Sequence, residues 1–285
     1  MSERLPALSR RGLARCAGTV LVTLAGGALS ASSASAAITA HGQRLQPSPH
    51  LSANANQSSN WFGYGQGALE QGSTLFNSIT GDWTIPSASQ HTAGQAEASS
   101  DWIGIGGGCI DAGCTASDST LIQTGTEQDV SATGVASYDA WYELVPAPSL
   151  QISSMTVAPG DRMQASLAEV VADSNVWTIT IQDLTRGESY STTVPYSSSH
   201  ATAEWIEETP LEIGTDAGFA ALPNLTDPDF DSATVNGAPV KLSASEALDL
   251  TASDGTVIGT PSAPNPNLDG FSACAWATSC SAPSG

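Results

Sequence analysis

From Ser59 onward the chain is interrupted every few residues by Gly, Pro, Asp or Asn, and the segments between interruptions alternate polar and apolar side chains. The period is 2, and no stretch carries an amphipathic helix of three turns. Successive side chains of a strand face opposite ways, so the pattern suits half-buried strands. They are expected over 81–85, 101–105, 120–125, 136–145, 162–171 and 176–182. Asp183-Leu184-Thr185-Arg186-Gly187, ahead of a further strand over 189–194, is a hairpin signal, with Gly187 free to take a positive φ. Pro159-Gly160-Asp161 likewise separates two strands. Many short strands, with no repeat of about 20 to 50 residues, predict an all-β fold: a two-sheet antiparallel β-sandwich of the concanavalin or lectin-like jelly-roll kind.

The first residues stand apart. Arg4, Arg10, Arg11 and Arg15 precede an apolar run over 17–29, and Ala34-Ser35-Ala36 then supplies the small-x-small pattern of a signal-peptidase site. Residues 1–36 are read as a signal peptide, 37–58 as a disordered lead or short propeptide, and 59–285 as one β domain. A membrane anchor is the competing reading, but the apolar run is shorter than the roughly 20 residues a bilayer requires. Ser9-Arg10-Arg11-Gly12-Leu13 also fits a twin-arginine signal, so Sec and Tat export both stay open; either delivers a secreted protein.

The whole chain sets 8 Lys and Arg against 28 Asp and Glu. Removing 1–36 takes four of the former and one of the latter, leaving four against 27, a net charge of −23. Such a charge repels nucleic acid and anionic membranes and excludes both as partners. In strong acid most carboxylates are neutral and only four Lys and Arg and four His remain, about +8, so self-repulsion is smaller there. An acidic surface that simply keeps an exported protein soluble is an equal alternative.

Cys16 leaves with the signal, and Cys109, Cys114, Cys274 and Cys280 remain, an even number suited to disulfides outside the cell. Of three possible pairings, short separations favour Cys109 with Cys114 and Cys274 with Cys280. The four lack paired CxxC spacing and have no His beside them, so no metal site is expected.

The familiar nucleophile, metal and nucleotide motifs are missing: there is no GxSxG, HExxH, P-loop or Rossmann glycine pattern. Of His41, His50, His91 and His200, only the last two lie in the β domain, and neither has a recognisable triad context. Carboxylates are the remaining acid–base candidates. Asp139, Trp141 and Glu143 share a strand face, but four residues place the two carboxylates about 13 Å apart, beyond the roughly 5 to 9.5 Å of a glycosidase pair. Glu204 shares its face with Thr202 and Ile206, where desolvation raises a carboxyl pKa; an arbitrary Glu there is more often a surface residue. Gln123 points with Leu121, and a Gln in such a run is more often a satisfied buried amide than a catalyst.

Five segments change that balance: Asn60-Trp61-Phe62-Gly63-Tyr64, Asp101-Trp102-Ile103-Gly104-Ile105, Leu121-Ile122-Gln123-Thr124-Gly125, Ser137-Tyr138-Asp139-Ala140-Trp141-Tyr142-Glu143 and Ala203-Glu204-Trp205-Ile206. In that order they resemble the glutamic peptidases, or eqolisins, and the similarity extends over about residues 58–277. The resemblance implies two curved antiparallel sheets with a Glu and Gln dyad in the concave groove. It implies a secreted acid endopeptidase acting on unfolded polypeptides, with no metal or other cofactor, and because a groove-type peptidase needs no partner subunit, a monomer is expected. On this chain the dyad falls on Glu204 and Gln123. Glu204 would take a proton from water and return it to the departing amine. Gln123 would donate to the oxyanion, a contact worth about 3 to 4 kcal/mol. Trp102, Asp139, Trp141 and Glu143 fall where the groove would be lined or supported, with core packing as the alternative.

One departure stands out. Where fungal relatives resemble Ile-Asp-Gly, this chain has Ile105-Gly106-Gly107, so a nearby acid is absent. Gly106-Gly107-Gly108-Cys109 and the Cys274/Cys280 ending look peculiar to a subgroup. Two other functions fit a sandwich: a catalytically silent, lectin-like carbohydrate-binding module, and a glycosidase with a second acid facing Glu204.

Overall fold

The computed structural model describes residues 56–212 and 218–284. The expected signal peptide and all but the last few residues of the expected lead lie outside that range. Its strands of five residues or more are β1 (Trp61–Gly67), β2 (Ser78–Thr84), β3 (Glu97–Gly106), β4 (Leu121–Val130), β5 (Ala136–Val145), β6 (Arg162–Glu169) and β7 (Val176–Asp183). They continue with β8 (Glu188–Pro195), β9 (Thr202–Glu208), β10 (Asp229–Val235), β11 (Ala247–Thr251), β12 (Val257–Pro261) and β13 (Phe271–Ala275). The pair Gln57–Ser58 already runs parallel to β11.

All thirteen join one antiparallel ladder in the order β8-β7-β6-β2-β10-β13-β12-β11-β1-β9-β3-β4-β5. The ladder folds back on itself, so that β2 and β6 of the first half pack against β3 and β4 of the second. The all-β sandwich expected from period 2 is therefore the observed architecture. Its core lies between the halves, where Ile79 and Trp83 of β2, Leu167 of β6 and Ile179 of β7 meet Ile103 of β3, Ile122 of β4 and Trp205 of β9. Each such side chain contributes about 1.5 to 3 kcal/mol through burial. Two indoles also pin the layers together: Trp205 Nε1 donates to Thr80 O at 2.8 Å and Trp83 Nε1 to Thr126 Oγ1 at 2.9 Å.

The hairpin read from 183–187 joins β7 to β8, and Gly187 takes φ 72°. One expected strand ends early. Backbone N–H groups of Asp173 and Asn175 turn back onto the Glu169 carboxylate at 2.8 and 2.9 Å, so β6 stops at Glu169 and leaves Val170 and Val171 exposed. Both disulfides take the local pairing, Cys109 with Cys114 and Cys274 with Cys280.

Alternation also implies that the outward face of the β1-β9-β3-β4-β5 layer meets water, and here the structure differs. β3 and β9 are buried at every position. Trp61, Trp102, Leu121, Trp141 and Ile206 form a second apolar cluster on that face, with the Trp61 and Trp102 rings edge-on at 4.9 Å. Polar side chains on the same face are drawn under cover with them.

Candidate active site

A single cross-strand row organises this face. Gly65 of β1 pairs with Glu204 of β9, Glu204 with Gly104 of β3, Gly104 with Gln123 of β4, and Gln123 with Glu143 of β5. Glu204 and Gln123 thus lie two strands apart, about 9.5 Å between backbones, with a glycine between them. A Cβ on Gly104 would lie 2.7 Å from the Trp102 ring and 3.0 Å from Leu121, so only glycine leaves room there for those two apolar walls.

Glu204 is 1% exposed, and neither carboxyl oxygen has a partner at hydrogen-bonding geometry. Burial pushes its pKa well above the ordinary glutamate value; the nearby Thr202 hydroxyl draws it back, and the charge of Asp118 raises it further. Glu204 opens onto a cavity of ≈ 20 Å³ that it shares with Trp61, Gly65, Gly108, Glu246 and Leu248. That volume accommodates about one water molecule. An orphaned buried carboxyl is costly unless something binds it.

Gln123 is fully buried, and its Nε2 donates to Glu143 Oε2 at 2.8 Å. Desolvation pushes the Glu143 carboxyl up to about 8, against the small lowering effect of the Gln123 amide, so Glu143 is neutral in acid. An amide has two N–H donors. One is committed to Glu143, on the strand farther from Glu204, and Gln123 Oε1 has no partner.

The expected supporting residues separate into two groups. Trp102 Nε1 donates to Glu208 Oε2 at 2.8 Å, and Trp141 Nε1 to Ser100 Oγ at 3.1 Å, so both indoles pack over the site while tied beneath it. Asp139 shares their face but pairs with Glu127, four residues from the Glu143 position, and takes a hydrogen bond from the Gln151 amide.

Several buried acids escaped the sequence reading, Glu208, Asp101 and Glu207 among them. Glu208 is held by Trp102 and, at 3.2 Å, by Asn60 Nδ2, and desolvation lifts it well above the usual range. Asp101 and Glu207 face each other between β3 and β9 on the core side, both fully buried and both raised by desolvation. The alternation of Glu204, Ile206 and Glu208 placed Glu208 beside the site, but only its contacts distinguish it from a surface glutamate. Among the described residues, no group of three or more His, Cys, Asp or Glu is arranged to hold a metal ion.

Comparison with known proteins bears on the family and the fold. The model of the Peptidase A4 family matches residues 59–268. Aspergillopepsin-2 of Aspergillus niger is 27% identical over 220 residues, covering 72% of this chain and 74% of that protein. The crystal structure of scytalido-glutamic peptidase with a transition state analog inhibitor has the same fold, with a TM-score of 0.59 at 21% identity over 76% of this chain and 98% of that one. Aspergilloglutamic peptidase from Aspergillus niger gives a TM-score of 0.51 at 25% identity, over 63% of this chain and 99% of its own. The chain belongs to the Peptidase A4 family, the glutamic peptidases or eqolisins, and is a hydrolase of peptide bonds.

Proposed function

We propose that the protein is a secreted acid endopeptidase that cleaves unfolded polypeptides with Glu204 and Gln123 as its catalytic pair. The row Glu204, Gly104, Gln123, Glu143 carries this reading, because it sets an unpartnered carboxyl and a half-committed amide on one face with a side-chain-free position between them. A scissile carbonyl over Gly104 would have the base on one side and the donor on the other.

In the first step an ionised Glu204 removes a proton from water in the adjoining cavity as the water oxygen attacks the carbonyl carbon. The carbonyl oxygen gains the negative charge and takes the second N–H of Gln123. Neutral Glu143 fixes the amide from behind, so the donor is oriented before the substrate arrives. Glu204 then returns its proton to the amine nitrogen as the C–N bond breaks. Export is supported by the signal-like 1–36 segment and by two disulfides.

The test is cleavage of an unfolded protein from about pH 2 to about pH 7 by the parent, Glu204→Gln and Gln123→Ala, with pepstatin and a chelator as controls. Cleavage in acid that survives both inhibitors and disappears in each variant is expected. Cleavage that persists in Glu204→Gln would move the chemistry elsewhere.

A further inference from the structure

The Gly106-Gly107-Gly108-Cys109 segment and the loop it opens, 107–120 between β3 and β4, have no part in the pair itself, yet the loop lies against Glu204. A Cβ on Gly108 would stand 2.6 Å from Glu204 Oε1 and 3.3 Å from Thr202 Oγ1, so the bare backbone of Gly108 is one wall of the carboxyl's cavity. A closed ring of hydrogen bonds holds that wall. Asp118 N donates to Gly108 O at 2.9 Å, and Gly108 N donates to Thr202 Oγ1 at 3.2 Å. Asp118 Oδ1 accepts from Thr120 N and Oγ1 at 2.9 and 2.8 Å, while Oδ2 accepts from the Ser199 hydroxyl. Ser199 Oγ in turn accepts from Ala201 N at 3.2 Å, one residue before β9 begins. Asp118 is 3% exposed, and its carboxylate joins the loop to the start of the strand that carries Glu204.

We propose that Asp118 is a positioning residue for Glu204: by clasping the 107–120 loop to Ser199 it seats Gly108 against the Glu204 carboxyl and fixes where that carboxyl stands. The inference rests on the catalytic reading of Glu204 above. It also gives this chain a buried acid near Glu204, supplied by the loop, although position 106 is glycine. The clasp is local to the site, because it ties two segments that each run directly into a site strand. Asp118 approaches from the loop, Glu70 and Glu246 line the same cavity, and the Tyr196 hydroxyl feels Asp118 and Glu143.

The test compares kcat, KM, the pH profile and Tm of the parent, Asp118→Asn, Asp118→Glu and Glu204→Gln on one unfolded substrate. Asp118→Asn should lower kcat roughly 10- to 100-fold with KM little changed. It should also move the ascending limb of kcat/KM to lower pH, because a negative charge near the base is lost, while Tm in acid holds. Asp118→Glu should bring the limb back. An active Glu204→Gln would sink the catalytic reading itself. Glu204→Gln inactive beside an Asp118→Asn enzyme with parental kcat and pH limb would sink only the clasp. If Asp118→Asn does not fold, Ser199→Ala carries the test: lowered kcat supports the clasp, and parental kcat overturns it.

Discussion

Gln123 gives one amide N–H to Glu143 at 2.8 Å, and the two residues are a direct cross-strand pair on the row that starts at Glu204. The carboxyl is pushed up to about 8 by burial, so in acid it accepts as a neutral group. Glu143→Gln, which preserves a neutral acceptor of the same shape, should therefore keep most activity in acid. Glu143→Ala should lose about tenfold or more in kcat by freeing the Gln123 amide. Equal losses in the two variants, measured at one acid pH, would show that Glu143 works as a charge.

Glu204 must be ionised to act as a base, and its pKa stands above the ordinary glutamate value because it is desolvated. The ascending limb of kcat/KM should accordingly lie above the usual glutamate pKa of about 4.3. A limb at or below that value would point to a different base. Glu204→Gln should cost about 10²- to 10⁴-fold in kcat.

Gly108→Ala probes steric placement of the same carboxyl. The added methyl would meet Glu204 Oε1 at 2.6 Å, the mobile end of a side chain, so the carboxyl moves and the backbone stays. A displacement of about 1 Å costs roughly 10²-fold in rate, with Tm nearly unchanged. Parental kcat in Gly108→Ala would mean that the carboxyl position is not critical.

Asp101 and Glu207 are a direct cross-strand pair, and Gln128 Nε2 lies 3.1 Å from Asp101 and 3.5 Å from Glu207. Both have raised pKa values in the fold, so their contribution is complete below the unfolded carboxyl values and is lost as pH rises through the folded ones. Each proton the fold retains after the unfolded chain has lost it costs about 1.4 kcal/mol per pH unit. Tm should fall from about pH 4 to about pH 7, and Asp101→Asn should flatten that slope. A parental Tm that rises over the same interval would refute this account.

How much of this was legible in the sequence follows from what each feature depends on. Period-2 alternation, turn residues such as Gly187 and the short Cys separations are local, and they determined strands β2 to β8 in outline, the sandwich and both disulfides. The faces of Gln123, Trp141, Glu143 and Glu204 followed from parity along each strand. Burial and register did not. Alternation assigns Glu204, Glu208 and Glu143 to an outward face, but whether that face meets water depends on Trp61 and on the 107–120 loop, which arrive from elsewhere in the chain. Pairing of Glu204 with Gly104 and of Gly104 with Gln123 is likewise a property of three strands in alignment, since cross-strand neighbours are chosen by long-range packing and not by adjacent residues. The sequence alone determined which side chains could do acid–base chemistry and what kind of scaffold carries them. Tertiary structure decided which carboxyls are desolvated, because desolvation is set by atoms that are near in space and distant in sequence.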